Sequence, residues 1–449
     1  MTLSSIPIPQ APRVPSHPIP TPSAETGRRA LQAMIQERSI LPALSVFHHE
    51  LGDVFRISAG AFQSVMLAGP EACRFVLVTA RDQLSWRPEG DPVTRLLRHG
   101  VLVEDGEAHD ALRQAINPAL HRRMLEKYVE GMWQAVDAIA EHWTADSPID
   151  VLKEMRRIAL LVVMDELYDA DFAGDLERLL PSIIRAIQYI SPGLWTIWPS
   201  VPRPGYEERL RILDDYLYKL IARRRDQPGG SGVLSLLIEA GLDDDLIRDQ
   251  LLTLLIAGHD TSTTLLAWAL YLMGRHPDVM ARARLEVDAF LGPELPTLQS
   301  VQNLHYLDRV IQETMRLYPP IHIGNRRALT DLDFQGYHIP AGTRVAYSIY
   351  LTHRDPAHWP NPGKFIPDHF LPEAAAGRAP YTFLPFGGGP RNCIGRAFAE
   401  VEAKVVLGRL LQHFDFTLLS ENVHAHMGAT LEPRPGIIMR AHRREENYR

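Results

Sequence analysis

At 449 residues with 45% hydrophobic content, the chain is long enough to bury a large core. Its formal charge of −7, with short basic runs such as the three arginines at 223–225, excludes a nucleic-acid footprint. Two cysteines make neither a disulfide framework nor a four-thiolate zinc site, and no signal peptide is visible, so a cytoplasmic protein is expected.

In chain order, the run "IPIPQAPRVPSHPIPTP" makes residues 1–25 an extended proline-rich arm. From 26 to 449 no Gly/Ser linker, repeat or low-complexity tract intervenes, so a single domain is expected. Residues 54–58 and 63–67, separated by Gly60, predict a hairpin, and Cys73 in "PEACRFVLV" reads as a core residue. "HDALR" sets His109 and Arg113 four apart on one helical face. Val129, Met132, Val136, Ile139 and Trp143 recur at spacings of three and four, as do Ile394, Ala397, Phe398, Val401 and Val405. Residues 343–349 and two short runs around "EPRPG" predict further strands. The expected class is therefore mostly α with a small β part (α+β).

The longest helix is expected to start at the three aspartates 243–245 and stop before Pro277, about 30 residues or roughly 45 Å. Inside it, residues 251–273 have the length of a membrane span, but Asp260 near the centre costs roughly 3 kcal/mol on insertion. A helix buried in protein is expected instead, with no transmembrane anchor. The weak helix formers and polar groups at 258–264 are costly there, which calls for a role beyond packing.

"ETMR" places Glu313 and Arg316 three apart, close enough to pair. Further on, "FGGGPRNCIG" surrounds Cys393 with glycines that permit φ > 0 and close backbone approach. A helix opening at Ile394 aims its first amides at the sulfur and favours a thiolate. A buried free thiol, a nucleophile and a metal ligand are the open readings; a phosphate loop fails for want of its glycine-lysine spacing. With no second thiol beside it, a metal must bring its other ligands, as haem iron does.

The pattern Phe386-x-x-Gly389-x-Arg391-x-Cys393-x-Gly395 resembles the cysteine loop of the cytochrome P450 family. The resemblance implies haem b as cofactor, with Cys393 as the axial iron ligand, Phe386 beside the sulfur and Arg391 paired with a propionate. By the same resemblance His109, Arg113 and Arg326, rather than its neighbour Arg327, are further haem contacts. Glu313 and Arg316 resemble the family's structural ion pair, which locks its helix to the meander "HRDPAHWPNPGKFIPDHF". His369 stands where the family usually has arginine, and a neutral ring bonding Glu313 through one nitrogen is expected. "AGHDTS" resembles the oxygen-binding motif: Ala257 and Gly258 leave room above the iron, the Thr261 hydroxyl competes for the Ala257 carbonyl, and Asp260 and Thr261 relay protons.

The resemblance implies a single-domain cytochrome P450 fold and a monooxygenase that uses dioxygen to hydroxylate or epoxidise an apolar small molecule, terpenoid, fatty acid or steroid-like. It covers residues 30–445, leaving no room for a fused reductase. Electrons from NAD(P)H are thus expected through an external ferredoxin-type donor and its reductase, with Arg122, Arg123 and Arg396 as contacts and the protein a monomer. Leu254, Ile321, His322 and Ile323 are candidate pocket residues, and Trp195, Ile197 and Trp198 in segment 191–206 line a candidate entrance. A haem-thiolate peroxygenase or isomerase, and a non-catalytic haem sensor, are the competing classes; the intact Asp260–Thr261 pair disfavours both.

Overall fold

The computed structural model describes residues 17–87, 90–145, 147–292 and 294–444. Most of the proline-rich arm lies outside the described residues. Its described end is tied down: His17 bridges to Tyr337, and the Arg56 amide donates to the Pro20 carbonyl at 2.8 Å. The arm gives way earlier than expected to a helix, Ala24–Glu37, whose Ser23 cap accepts from the Thr26 amide.

The axis of the molecule is the helix Asp244–Arg275, 32 residues and hence roughly 48 Å. Asp243 caps it by accepting the Leu246 amide at 2.8 Å, Asp244 and Asp245 sit at its positive end, and Pro277 opens the next helix. Helices Val151–Val162, Glu207–Asp226, His305–Leu317 and Arg396–His413 pack around it. This explains why it is apolar on nearly every side: each face meets another element rather than water or lipid. Among the described residues no helix is long and apolar enough to cross a membrane.

The helix Leu125–Ala140 buries the expected Val129, Met132 and Val136, while Trp143 lies buried just beyond its end. The helix after the cysteine starts at Arg396, later than Ile394, and is buried on most sides rather than amphipathic. The predicted hairpin is present as Val54–Ala59 and Phe62–Leu67, with Gly60 at φ +56 in its turn. A main sheet orders these strands beside Arg344–Ser348, Ile323–Ala328 and Leu84–Ser85. The runs around "EPRPG" become Leu431–Arg434, paired with His424–Met427, and Ile438–Arg443, paired with Phe414–Leu418 and Ile149–Asp150.

Candidate active site

The cysteine loop is held in shape by close backbone approach. Gly389 has φ +67, and a Cβ there would lie 2.5 Å from the Leu77 carbonyl, so only glycine fits against the turn Phe75–Thr79. The Cys393 amide donates to the Phe386 carbonyl at 2.8 Å and closes the loop. Arg113 reaches in from its helix and donates to both the carbonyl and the side-chain oxygen of Asn392, at 2.7 and 3.2 Å. Cys393 is exposed to solvent, yet protein surrounds it closely. Burial pushes the free thiol up, against the Gly395 amide and the charges of Arg113 and Arg396, which favour the thiolate. Cys73 is the contrast. It is fully buried beside Thr352, and burial pushes it up to about 12.

Three guanidinium groups crowd the same region. Arg391 donates to Asp105 at 2.7 Å and to the Leu102 and Glu104 carbonyls at 3.2 and 2.6 Å. Arg326 is buried on strand Ile323–Ala328, whose alternation turns Arg327 outward, so the inward arginine is the expected one. Burial first, then the proximity of Arg326 and Arg113, lower the Arg391 value to about 10. His109 is buried next to Arg391 and Arg113, with its Nδ1 2.8 Å from Asp110, and burial lowers its value. Among the described residues only Arg391 of the three has a carboxylate partner. The buried indole nitrogen of Trp86, under Arg326 and Arg391, has no acceptor among them either. A surplus of positive charge and an orphaned donor beside an accessible thiol suit a dianionic cofactor that binds through sulfur, which is what haem b is.

Across the long helix, Ala257 is exposed although its neighbours Ile256, His259 and Asp260 are buried. Gly258 abuts Val163, where a Cβ would come within 3.2 Å. Thr261 donates to the Ala257 carbonyl at 2.8 Å, as expected, which competes with the helical hydrogen bond at that turn. Asp260 is fully enclosed. Arg156 Nη2 lies 3.1 Å from its Oδ1 and 2.9 Å from Glu432, and Thr430 donates to its Oδ2 at 2.8 Å. Burial pushes the Asp260 carboxyl up to about 6, against the pull of Arg156 and with a smaller push from Glu432. Arg156, Thr430 and Glu432 escaped the sequence reading, because their segments meet the helix only in the folded chain.

Glu313 and Arg316 form a bidentate pair at 2.7 Å with no exposure. The remaining Arg316 donors hold the His353, Pro362 and Lys364 carbonyls, which fastens the helix to the meander. His369 does reach Glu313, at 3.0 Å through Nδ1, while Nε2 lies 2.8 Å from the Pro360 carbonyl. The ring therefore spans Glu313 and the meander carbonyl together. The expected contact with Glu313 is present, and the Pro360 contact is additional to it.

The proposed pocket residues divide. Leu254 and His322 are buried, Ile323 is half-buried, and Ile321 is 40% exposed. His322 Nδ1 has no partner among the described residues, and burial lowers the ring to about 4. Ile197 ends a short helix, Leu194–Ile197, and its carbonyl takes the Ala61 amide at 2.9 Å, so this segment rests on the hairpin turn. Trp195 folds back on Gly193, and Trp198 is 54% exposed. Arg122, Arg123 and Arg396 are exposed, the last paired with Glu400 at 2.8 Å.

A family model for cytochrome P450 matches residues 29–439. Among curated proteins the chain is 31% identical over 416 residues to cyclooctatin synthase of Streptomyces melanosporofaciens, covering 87% of each. Among solved structures it is similar to the cytochrome P450DA heme domain, with a TM-score of 0.84 and 26% identity over 96% of this chain and 98% of that one. The retinoic acid-bound cyanobacterial CYP120A1 gives a TM-score of 0.82 and 28% identity, covering 95% of this chain and all of the other.

Proposed function

Because the chain belongs to the cytochrome P450 family, whose members are haem-thiolate monooxygenases carrying haem b, we propose that Cys393 would bind the haem iron through its sulfur and that Arg113, Arg326, Arg391 and His109 would hold the cofactor's carboxylates. Bound haem b supplies the activation of dioxygen and the transfer of one oxygen atom. The observation that carries the assignment is the accessible yet enclosed sulfur beside three arginines of which only Arg391 has a carboxylate partner among the described residues.

The protein's own part is binding, exclusion of water and proton placement. Ala257 and Gly258 keep the helix thin where it faces the cofactor side. Thr261, whose hydroxyl hydrogen goes to the Ala257 carbonyl, keeps its oxygen free to accept from a water beside it. Asp260, held by Arg156 and Thr430 and pushed up by burial, is the group that would take up and pass on a proton. Phe386 shields the sulfur from one side. Glu313, Arg316 and His369 keep the meander, and hence the cysteine loop, in place.

The substrate is an apolar small molecule of terpenoid, fatty-acid or steroid-like class, hydroxylated or epoxidised. Leu254 and Ile323 give apolar walls and His322 one polar contact. The likeness to a structure that binds retinoic acid, a long apolar isoprenoid acid, supports this class. Electrons come from NAD(P)H through a ferredoxin-type donor and its reductase, meeting the face that carries Arg122, Arg123 and Arg396. The test is the reduced carbon-monoxide spectrum: wild type gives the red-shifted thiolate band and Cys393→Ser does not. A thiolate band that survives Cys393→Ser rejects the assignment.

A further inference from the structure

Trp86 follows the short strand Leu84–Ser85 at the edge of the arginine cluster. Its main-chain amide and the Ser85 hydroxyl donate to Asp105 at 3.1 and 2.9 Å, and the same carboxylate takes Arg391 at 2.7 Å. One acid thus fixes the Trp86 backbone relative to the cysteine loop. The indole is also a platform: the Arg326 guanidinium lies 3.6 Å from its ring centroid and that of Arg391 lies 5.2 Å away.

Stacking under a cation uses the ring face and leaves the N–H unused. That N–H is nevertheless buried and has no acceptor among the described residues, a state that native interiors avoid. An indole nitrogen only donates, so the missing partner is an acceptor; two adjacent guanidiniums make it an anion. Within the described residues, Asp105 is already committed to Arg391, Ser85 and the Trp86 amide. Resting on the haem-thiolate reading above, we propose that the Trp86 indole N–H donates to a haem propionate and shares that carboxylate with Arg326. A neutral donor on a stacked ring adds direction to an electrostatic clamp that charge alone leaves loose.

The test compares release of the cofactor to excess apomyoglobin from holoprotein loaded with haem b or with its dimethyl ester, which has no free carboxylate. Trp86→Phe keeps the aromatic platform; β-(3-benzothienyl)alanine at position 86 keeps the ring size and replaces N–H with sulfur. Both variants are expected to release haem b about tenfold faster than wild type, and to release the ester within about twofold of wild type. Equal acceleration for both cofactors assigns Trp86 to packing and overturns the proposal, as does unchanged release of haem b. Wild-type protein that takes up no haem overturns the haem-thiolate reading itself, and this donor with it.

Discussion

Asp260 is a carboxyl that the fold holds near neutrality. Its value of about 6 stands above the ordinary 3.8 because burial penalises the charge. The neutral form is therefore favoured by folding, and this contribution is present below about pH 4 and lost as pH rises through about 6. Asp260→Asn is expected to flatten that part of the pH dependence of thermal unfolding, and to lower coupled turnover by about 100-fold. An unchanged slope of Tm between pH 4 and 6 counts against the assignment. Its neighbour separates from it chemically. Thr261→Ala removes the hydroxyl on the Ala257 carbonyl, and is expected to keep haem and substrate while diverting reducing equivalents to hydrogen peroxide. Peroxide formed per NAD(P)H oxidised is the measurement; tightly coupled turnover in that variant rejects the role. At this scale the sequence was informative where chemistry is local: Thr261 and Ala257 are one helical turn apart. Arg156 and Thr430 lie 104 and 170 positions from Asp260, and no local pattern announces such partners.

The lock between helix His305–Leu317 and the meander shows how one substitution in a pattern is absorbed. An arginine offers a fixed charge and a fork; His369 instead sets one ring nitrogen against Glu313 and the other against the Pro360 carbonyl. His369→Ala leaves both acceptors short and is expected to lower stability by about 1–3 kcal/mol, read from the urea midpoint. His369→Arg is expected to retain most of it. Equal stability of His369→Ala and wild type removes the residue from the lock. Helices with a clean apolar period and the Gly60 hairpin were legible, since period and turn chemistry are local. The helix after Cys393 was misjudged as amphipathic because its solvent face is covered by other helices, which periodicity does not report. The short helix Leu194–Ile197 has no period to read and owes its place to the hairpin turn it rests on.

For the whole molecule, the deciding fact is convergence. Arg113, Arg326 and Arg391 come from a helix, a strand and a loop, yet each lies near the others or near the cysteine loop. Exposed Arg122, Arg123 and Arg396 give the docking proposal its own test. Raising salt from 0.05 to 0.5 M is expected to slow reduction by a ferredoxin-type donor several-fold, and Arg122→Glu with Arg123→Glu to do the same at low salt. A reduction rate indifferent to both rejects that face. The amino-acid order alone settled the long helix, the glycine-framed thiol and the acid-alcohol pair, because helix period, φ > 0 and side-chain chemistry act over a few neighbouring residues. Only the tertiary structure decided which arginine of 326 and 327 turns inward, which groups restrain Asp260, the second contact of His369 and the orphaned Trp86 donor. Those depend on burial and on distances between remote segments, which exist only once the chain has packed.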